Sequence, residues 1–144
     1  MIVLDTNVIS ELMRRAPHKN VALWVSQQKP ENLCITSITL GEVLRGIDCI
    51  AEKARRDDLT NRFLTATANT FSGRIYPYDQ ETALHFGKLC AQRKAANLSI
   101  DAVDIMIAAV AKNLGAKIAT RNIKDFKKIG ISLIDPWKAP VAVK

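Results

Sequence analysis

The stretch "SIDAVDIMIAAVAKNLGAKIATRN" (residues 99–122) reads as a helix, a stop and a strand. Ser99 is placed to cap the helix, and Gly115 stands where a C-terminal glycine ends one. Past its first turn the helix is apolar almost all round, which predicts deep burial, because a surface helix keeps a polar face. "AKIAT" (116–120) then reads as a strand. Asp104 directly precedes "IMIAAVA", and a charge at the mouth of a buried helix needs a partner.

Working outward, the same alternation recurs. "IVLD" (2–5) is a short buried strand, and "TNVISELMRR" starts a helix that Thr6 or Asn7 can cap and Pro17 ends. A short helix at 20–28 precedes a second strand, "LCITS" (33–37). From Ile38, Leu40, Val43, Leu44 and Ile47 recur at helical spacing. "AEKARRDD" leads into the helix "LTNRFLTATANTF", which stops near Ser72-Gly73. "RIYPY" (74–78) is a third strand that Pro77 confines to an edge or terminus. Asp79 caps a helix over 80–95; after Thr120 come a loop with a short helix and a fifth strand, "ISLID" (131–135). Strands alternating with helices predict one α/β domain over residues 1–144, with a mainly parallel five-stranded sheet covered on both faces and the first strand central.

With 48% apolar and 24% charged residues the chain has the composition of a folded protein. Its longest unbroken apolar run, "IMIAAVA" (105–111), is far short of the ~18 residues a membrane span needs, and its start lacks the pattern of a secretory signal. A cytoplasmic location is expected. Cys34, Cys49 and Cys90 have neither disulfide nor zinc spacing and are expected to be reduced core thiols. A net charge of +7 favours a polyanionic partner, nucleic acid or an acidic protein. The basic residues fall in small groups: Arg14, Arg15 and Lys19; Lys53, Arg55 and Arg56; Arg93 and Lys94; Arg121, Lys124, Lys127 and Lys128. Any one group would serve equally as a solvated helix face.

In open α/β sheets ligands bind beyond the carboxyl ends of the strands. Asp5 ends the first strand, Glu42 lies early in the helix after the second, Asp101 and Asp104 begin the buried helix, and Asn122 and Asp125 follow the fourth strand. Each also has a structural use: Asp5 as a helix cap, Thr39-x-x-Glu42 as a capping box, Asp101 as a first-turn acid, Asn122 and Asp125 as turn residues. Together, carboxylates at one sheet edge are costly to ionise unless a cation lies between them. An all-oxygen donor set, with His18 and His85 elsewhere, selects Mg²⁺ or Mn²⁺ over zinc. A hard divalent ion on a basic protein points to phosphodiester chemistry.

These residues carry a resemblance. "MIVLDTNVIS", "SITLGEVLRG", "DAVDIMIAAVAKNLGAKIATRN" and the late "PW" resemble the PIN domains, in particular VapC-type toxins of toxin–antitoxin pairs and their FitB-like branch. The resemblance spans nearly the whole chain. It implies a three-layer α/β/α sandwich, a Mg²⁺- or Mn²⁺-dependent endoribonuclease acting on RNA, a homodimer, and a cognate antitoxin protein that blocks the site. The family's first three acids fall on Asp5, Glu42 and Asp104, and Thr6 or Asn7 matches the small polar residue that holds the first acid's loop. Where close relatives place a fourth aspartate this chain has Asn122, with Asp125 three residues on; the pair is expected to share a weaker metal position.

The mechanism expected from this has Asp5 and Asp104 binding metal and Glu42 orienting or deprotonating the attacking water. Arg121 and nearby lysines hold the RNA backbone, and the products carry 5′-phosphate and 3′-hydroxyl ends. A receiver or haloacid-phosphatase reading fits poorly, because Asp5 is followed by Thr6 and Asn7 rather than Asp-x-Asp. Glycine-rich nucleotide loops are missing. The serious alternative is a catalytically degenerate PIN-like module that clamps RNA or protein, which the missing fourth acid favours.

Overall fold

The computed structural model describes residues 1–142. Five strands, β1 (Ile2–Leu4), β2 (Leu33–Thr36), β3 (Ile75–Tyr76), β4 (Lys117–Ala119) and β5 (Leu133–Ile134), form one sheet in the order β3-β2-β1-β4-β5. Every pairing is parallel, with Ile2 opposite both Leu33 and Lys117. Six α-helices connect them: α1 (Thr6–Leu12), α2 (Lys19–Ser26), α3 (Ser37–Asp48), α4 (Lys53–Thr70), α5 (Gln80–Ala95) and α6 (Ala102–Leu114). Short 3-10 turns lie at Pro30–Asn32 and Ile123–Phe126.

The period-two alternation of side chains sorts the core into two layers. Val3, Cys34 and Ile118 face one side, where Leu89 of α5 and Ile105, Ile107 and Ala108 of α6 pack with Phe126. Leu4, Ile35 and Ala119 face the other, against Val8, Val21, Trp24, Val43 and Phe63 from α1 to α4. The result is a three-layer α/β/α sandwich whose central strand is β1, as the sequence implies. Burial of α6 also follows expectation: Ile105 and Ile107–Ala111 are almost inaccessible. Among the described residues no helix is long and apolar enough to cross a membrane.

The structure corrects several local expectations. Of the caps expected for α1, Asp5 takes the position rather than Thr6 or Asn7, accepting the Thr6 N–H at 2.8 Å, as its structural reading allowed. Asp101, not Ser99, caps α6 by accepting the amides of Val103 and Asp104 at 3.0 and 3.1 Å, so the helix starts at Ala102. Thr36 caps α3 through the Thr39 amide, so Glu42 closes no capping box. The charged segment before Leu59 is itself helical from Lys53, where the Lys53–Asp57 pair at i,i+4 supports the first turn. β3, β4 and β5 are each shorter than the segments that announce them, and Pro77, which has no N–H to donate, follows the last residue of β3. Only Cys34 is a buried thiol, its ionisation pushed up to about 11 by that burial; Cys90 is half-buried, and Cys49 is exposed just past the end of α3.

Candidate active site

Asp5 stands at the carboxyl end of the central strand and is only 3% exposed. Its amide still pairs with the Ala119 carbonyl at 3.0 Å, which fixes where the carboxylate leaves the sheet. One carboxylate oxygen accepts the Thr6 N–H; the other accepts the Thr120 hydroxyl at 2.7 Å and the Asn7 side-chain amide at 3.0 Å. Asn7 also donates to Thr120 Oγ1 at 3.2 Å and accepts the Arg121 N–H at 3.2 Å through Oδ1. The Asn122 N–H donates to the same Thr120 oxygen at 3.0 Å. A closed set of hydrogen bonds therefore orients Asp5 and ties it to the chain leaving β4.

Glu42 comes from the second turn of α3 and Asp104 from the first turn of α6. Burial is the main reason that the Asp104 carboxyl is pushed up to about 7, and the charges of Asp5, Asp101, Asp125 and Glu42 add to it in that order. Burial likewise raises Asp5; hydrogen bonds from Thr120, Thr6 and Asn7 oppose it, and the Glu42 charge adds to it. These acids thus share one field at the sheet edge. The ion pairs among the described residues engage Glu11, Asp57, Asp58 and Asp135, and none involves this cluster.

The donor chemistry fits a hard divalent cation: carboxylate oxygens whose negative charge no basic side chain offsets. Thr6 Oγ1, buried at the first turn of α1, has no hydrogen-bond partner among the described residues. No three His, Cys, Asp or Glu side chains among those residues close on one point as a ligand cage. Mg²⁺ is typically held by only one or two carboxylates, with water and substrate phosphates completing its shell.

The PIN domain family model matches residues 2–131. The chain is 36% identical to the VapC ribonuclease Y4jK of Sinorhizobium fredii, over 96% of this chain and 99% of that protein. It is 31% identical to the toxin FitB of Neisseria gonorrhoeae, over 95% and 99% respectively. This chain belongs to the PIN-domain family. Its backbone superposes on the crystal structure of FitAcB from Neisseria gonorrhoeae with a TM-score of 0.91 at 31% identity, covering 96% of this chain and 100% of that one.

Within this PIN domain the structure brings Asp5, Asp104, Glu42 and Asp125 into electrostatic contact, together with the capping Asp101. Asn122 behaves differently: it is exposed, and it is held through its backbone, the N–H donating to Thr120 Oγ1 and the carbonyl accepting the Asp125 N–H. Arg121 extends over the Trp137 ring, 5.3 Å from its centroid, above the Asn7 contact. Thr120 is the residue that sequence reasoning missed. Its signal was available: if β1 and β4 pair in register with Leu4 opposite Ala119, then Asp5 must meet Thr120 one residue on.

A second grouping also escapes linear reading. Arg14 and Arg15, past α1, share a cleft of about 800 Å³ with Arg55 and Arg62 of α4. Met13 and Ser10 line that cleft and also a smaller cavity that includes Glu42 and Gly46. Basic residues some forty positions apart thus border one cleft, which Asp58, paired with Arg62 at 3.5 Å, also lines.

Proposed function

We propose that this PIN domain is a divalent-cation-dependent endoribonuclease and the toxin of a toxin–antitoxin pair. The observation that carries the reading is the electrostatic field that Asp5, Glu42 and Asp104 share at the carboxyl edge of the sheet, with no basic side chain among the described residues paired to them. Asp5 and Asp104 would hold the cation, and Asn122 with Asp125 would serve a weaker second position. When bound, Mg²⁺ or Mn²⁺ offsets charge on the phosphodiester and makes water a stronger nucleophile at neutral pH.

The chain's own side chains do the rest. Thr120, Asn7 and the Thr6 amide hold Asp5 in one orientation, a pre-organisation that removes reorganisation from the reaction. Glu42, which pairs with no basic side chain among the described residues, orients the attacking water and takes its proton. The water oxygen bonds to phosphorus as the P–O3′ bond breaks, and the leaving oxygen takes a proton from solvent. The products are a 5′-phosphate and a 3′-hydroxyl. Arg14, Arg15, Arg55 and Arg62 hold backbone phosphates along the cleft and Arg121 holds one at the mouth, giving affinity with little sequence choice.

The similarity to proteins named as a ribonuclease and as a toxin supports an RNA substrate and a cognate antitoxin, and a homodimer is the assembly proposed. The test is cleavage of a labelled total-RNA or tRNA pool with Mg²⁺ or Mn²⁺ and with EDTA, comparing wild type with Asp5→Ala. Cleavage that needs the metal and disappears in the variant supports the reading; cleavage that persists in EDTA or in Asp5→Ala sinks it. Asn122 and the open arrangement of acids favour one other reading, a degenerate PIN-like module that clamps RNA or protein. Failure of the folded, partner-free chain to bind Mn²⁺ would select that reading.

A further inference from the structure

Arg93 is 2% exposed and among the largest fully buried side chains of the molecule, yet among the described residues no carboxylate pairs with it. Its guanidinium is satisfied by backbone carbonyls instead. Nε and Nη2 both donate to the Ser99 carbonyl, at 3.0 and 2.6 Å. Nη1 donates to the carbonyls of Lys124 and Lys127, at 2.9 and 3.1 Å. Burying a guanidinium without a counter-charge is costly, and replacing such groups with apolar ones is often neutral or stabilising. A generic core need does not account for it.

The position of its partners does. Ser99 lies two residues before Asp101, which caps α6 and so sets the first turn that carries Asp104. Lys124 and Lys127 bracket Asp125 in the 3-10 turn that follows Asn122. The two loops meet at one planar fork. Both loops turn sharply beside it: past the end of α5, Asn97 has a left-handed φ of +54° and the Leu98 amide donates to the Arg93 carbonyl at 3.0 Å, and Lys128, just past the second loop, has a φ of +64°. Carbonyls at the end of a 3-10 turn lack partners within the turn, and here Arg93 supplies them.

We propose that Arg93 is a positioning residue that sets the distance between the Asp101–Asp104 side of the site and the Asn122–Asp125 side. This rests on the nuclease reading above. The opposite half of the site needs no such strut, because Asp5 is held by Thr120 and Asn7. Lysine cannot substitute: its ammonium is a point donor, whereas the fork spans acceptors on two separate loops.

The test compares wild type with Arg93→Lys and Arg93→Gln by RNA cleavage and by amide hydrogen exchange. In either variant kcat should fall by roughly 100-fold, the scale of a ~1 Å misplacement, with KM unchanged because the basic cleft is untouched. Exchange at the Asp125 amide, bonded to the Asn122 carbonyl at 3.0 Å, should accelerate while the Val8 amide in α1 stays protected. A folded Arg93→Lys protein with wild-type kcat and Asp125 protection would overturn the proposal. So would a loss of activity that tracks only the folded fraction. Should neither variant fold, exchange in wild type decides: the Leu98 and Asp125 amides should open together, as one unit, and independent opening rejects the strut. If wild type cuts no RNA, the nuclease reading fails while the exchange experiment still judges Arg93.

Discussion

Asp104 holds a proton up to about 7 in the folded chain but releases it near 3.8 when unfolded. Between those values the folded state binds more protons, so the stability of the cation-free protein should fall as pH rises through this window. Asp5 shifts in the same direction and adds to the slope. Glu11, lowered by the His18 amide and Arg14, works the other way, but below its ordinary 4.5. Melting temperatures from pH 4 to 8 should therefore decline toward neutrality, and Mn²⁺ should reverse the decline by displacing the proton. Asp104→Asn should flatten the profile, remove the Mn²⁺ response and abolish cleavage. Thr120 makes a separate prediction. Thr120→Val deletes the donor to Asp5 and the acceptor of the Asn122 amide, and groups that orient metal ligands typically matter by ~10–100-fold in affinity or activity. Thr120→Ser should restore most of the loss; Mn²⁺ titration of the three proteins is the measurement.

At the scale of the element, α6 combines an apolar body with a charged mouth, and Asp101 serves both. Its side chain satisfies two amides that the helix leaves without partners, while its charge raises the Asp104 carboxyl. Substitution separates the roles. Asp101→Ala should lower stability by about 1 kcal/mol through loss of the cap, whereas Asp101→Asn should cost little, because asparagine caps as well as aspartate. Both should shift the pH midpoint of Mn²⁺ binding downward, since both remove a negative charge beside Asp104. Denaturant unfolding and Mn²⁺ titration against pH read the two effects independently.

At the scale of the whole molecule, the acids gather because α3 and α6, on opposite faces of the sheet, both start at its carboxyl edge, and the arginine cleft exists because α1 and α4 pack side by side on one face. Arg15 and Arg55 come from different segments and line one cleft. Replacing both with alanine should weaken RNA binding across sequences and reduce the salt slope by about 1.4, from roughly 0.7 per single-strand phosphate contact. Binding measured across a salt series checks this; an unchanged slope would mean that RNA does not follow the cleft.

Period and punctuation in the sequence carry the architecture. The apolar body of α6, Gly115 at its end with φ +61°, and the short runs at 2–5, 33–37 and 116–120 each answer to forces within a few residues, and so could be read in order along the chain. The positions of Asp5, Glu42 and Asp104 followed, because parallel α/β topology sends every strand end to the same edge. Where several polar residues stand side by side the cap was left open, as at Asp5–Asn7, or misassigned, as at Ser99–Asp101, since the choice among them turns on backbone angles that neighbouring layers impose. Thr120, legible only once the β1–β4 register is assumed, and Arg93 escaped for a different reason. Their roles depend on partners 115 residues away in one case and on two separate loops in the other. Local pattern settles which segments are strands and helices and which ends carry acid; which hydroxyl orients Asp5, and which cation holds two loops at a fixed spacing, is decided only when chain closure brings distant groups within the ~3 Å over which a hydrogen bond acts.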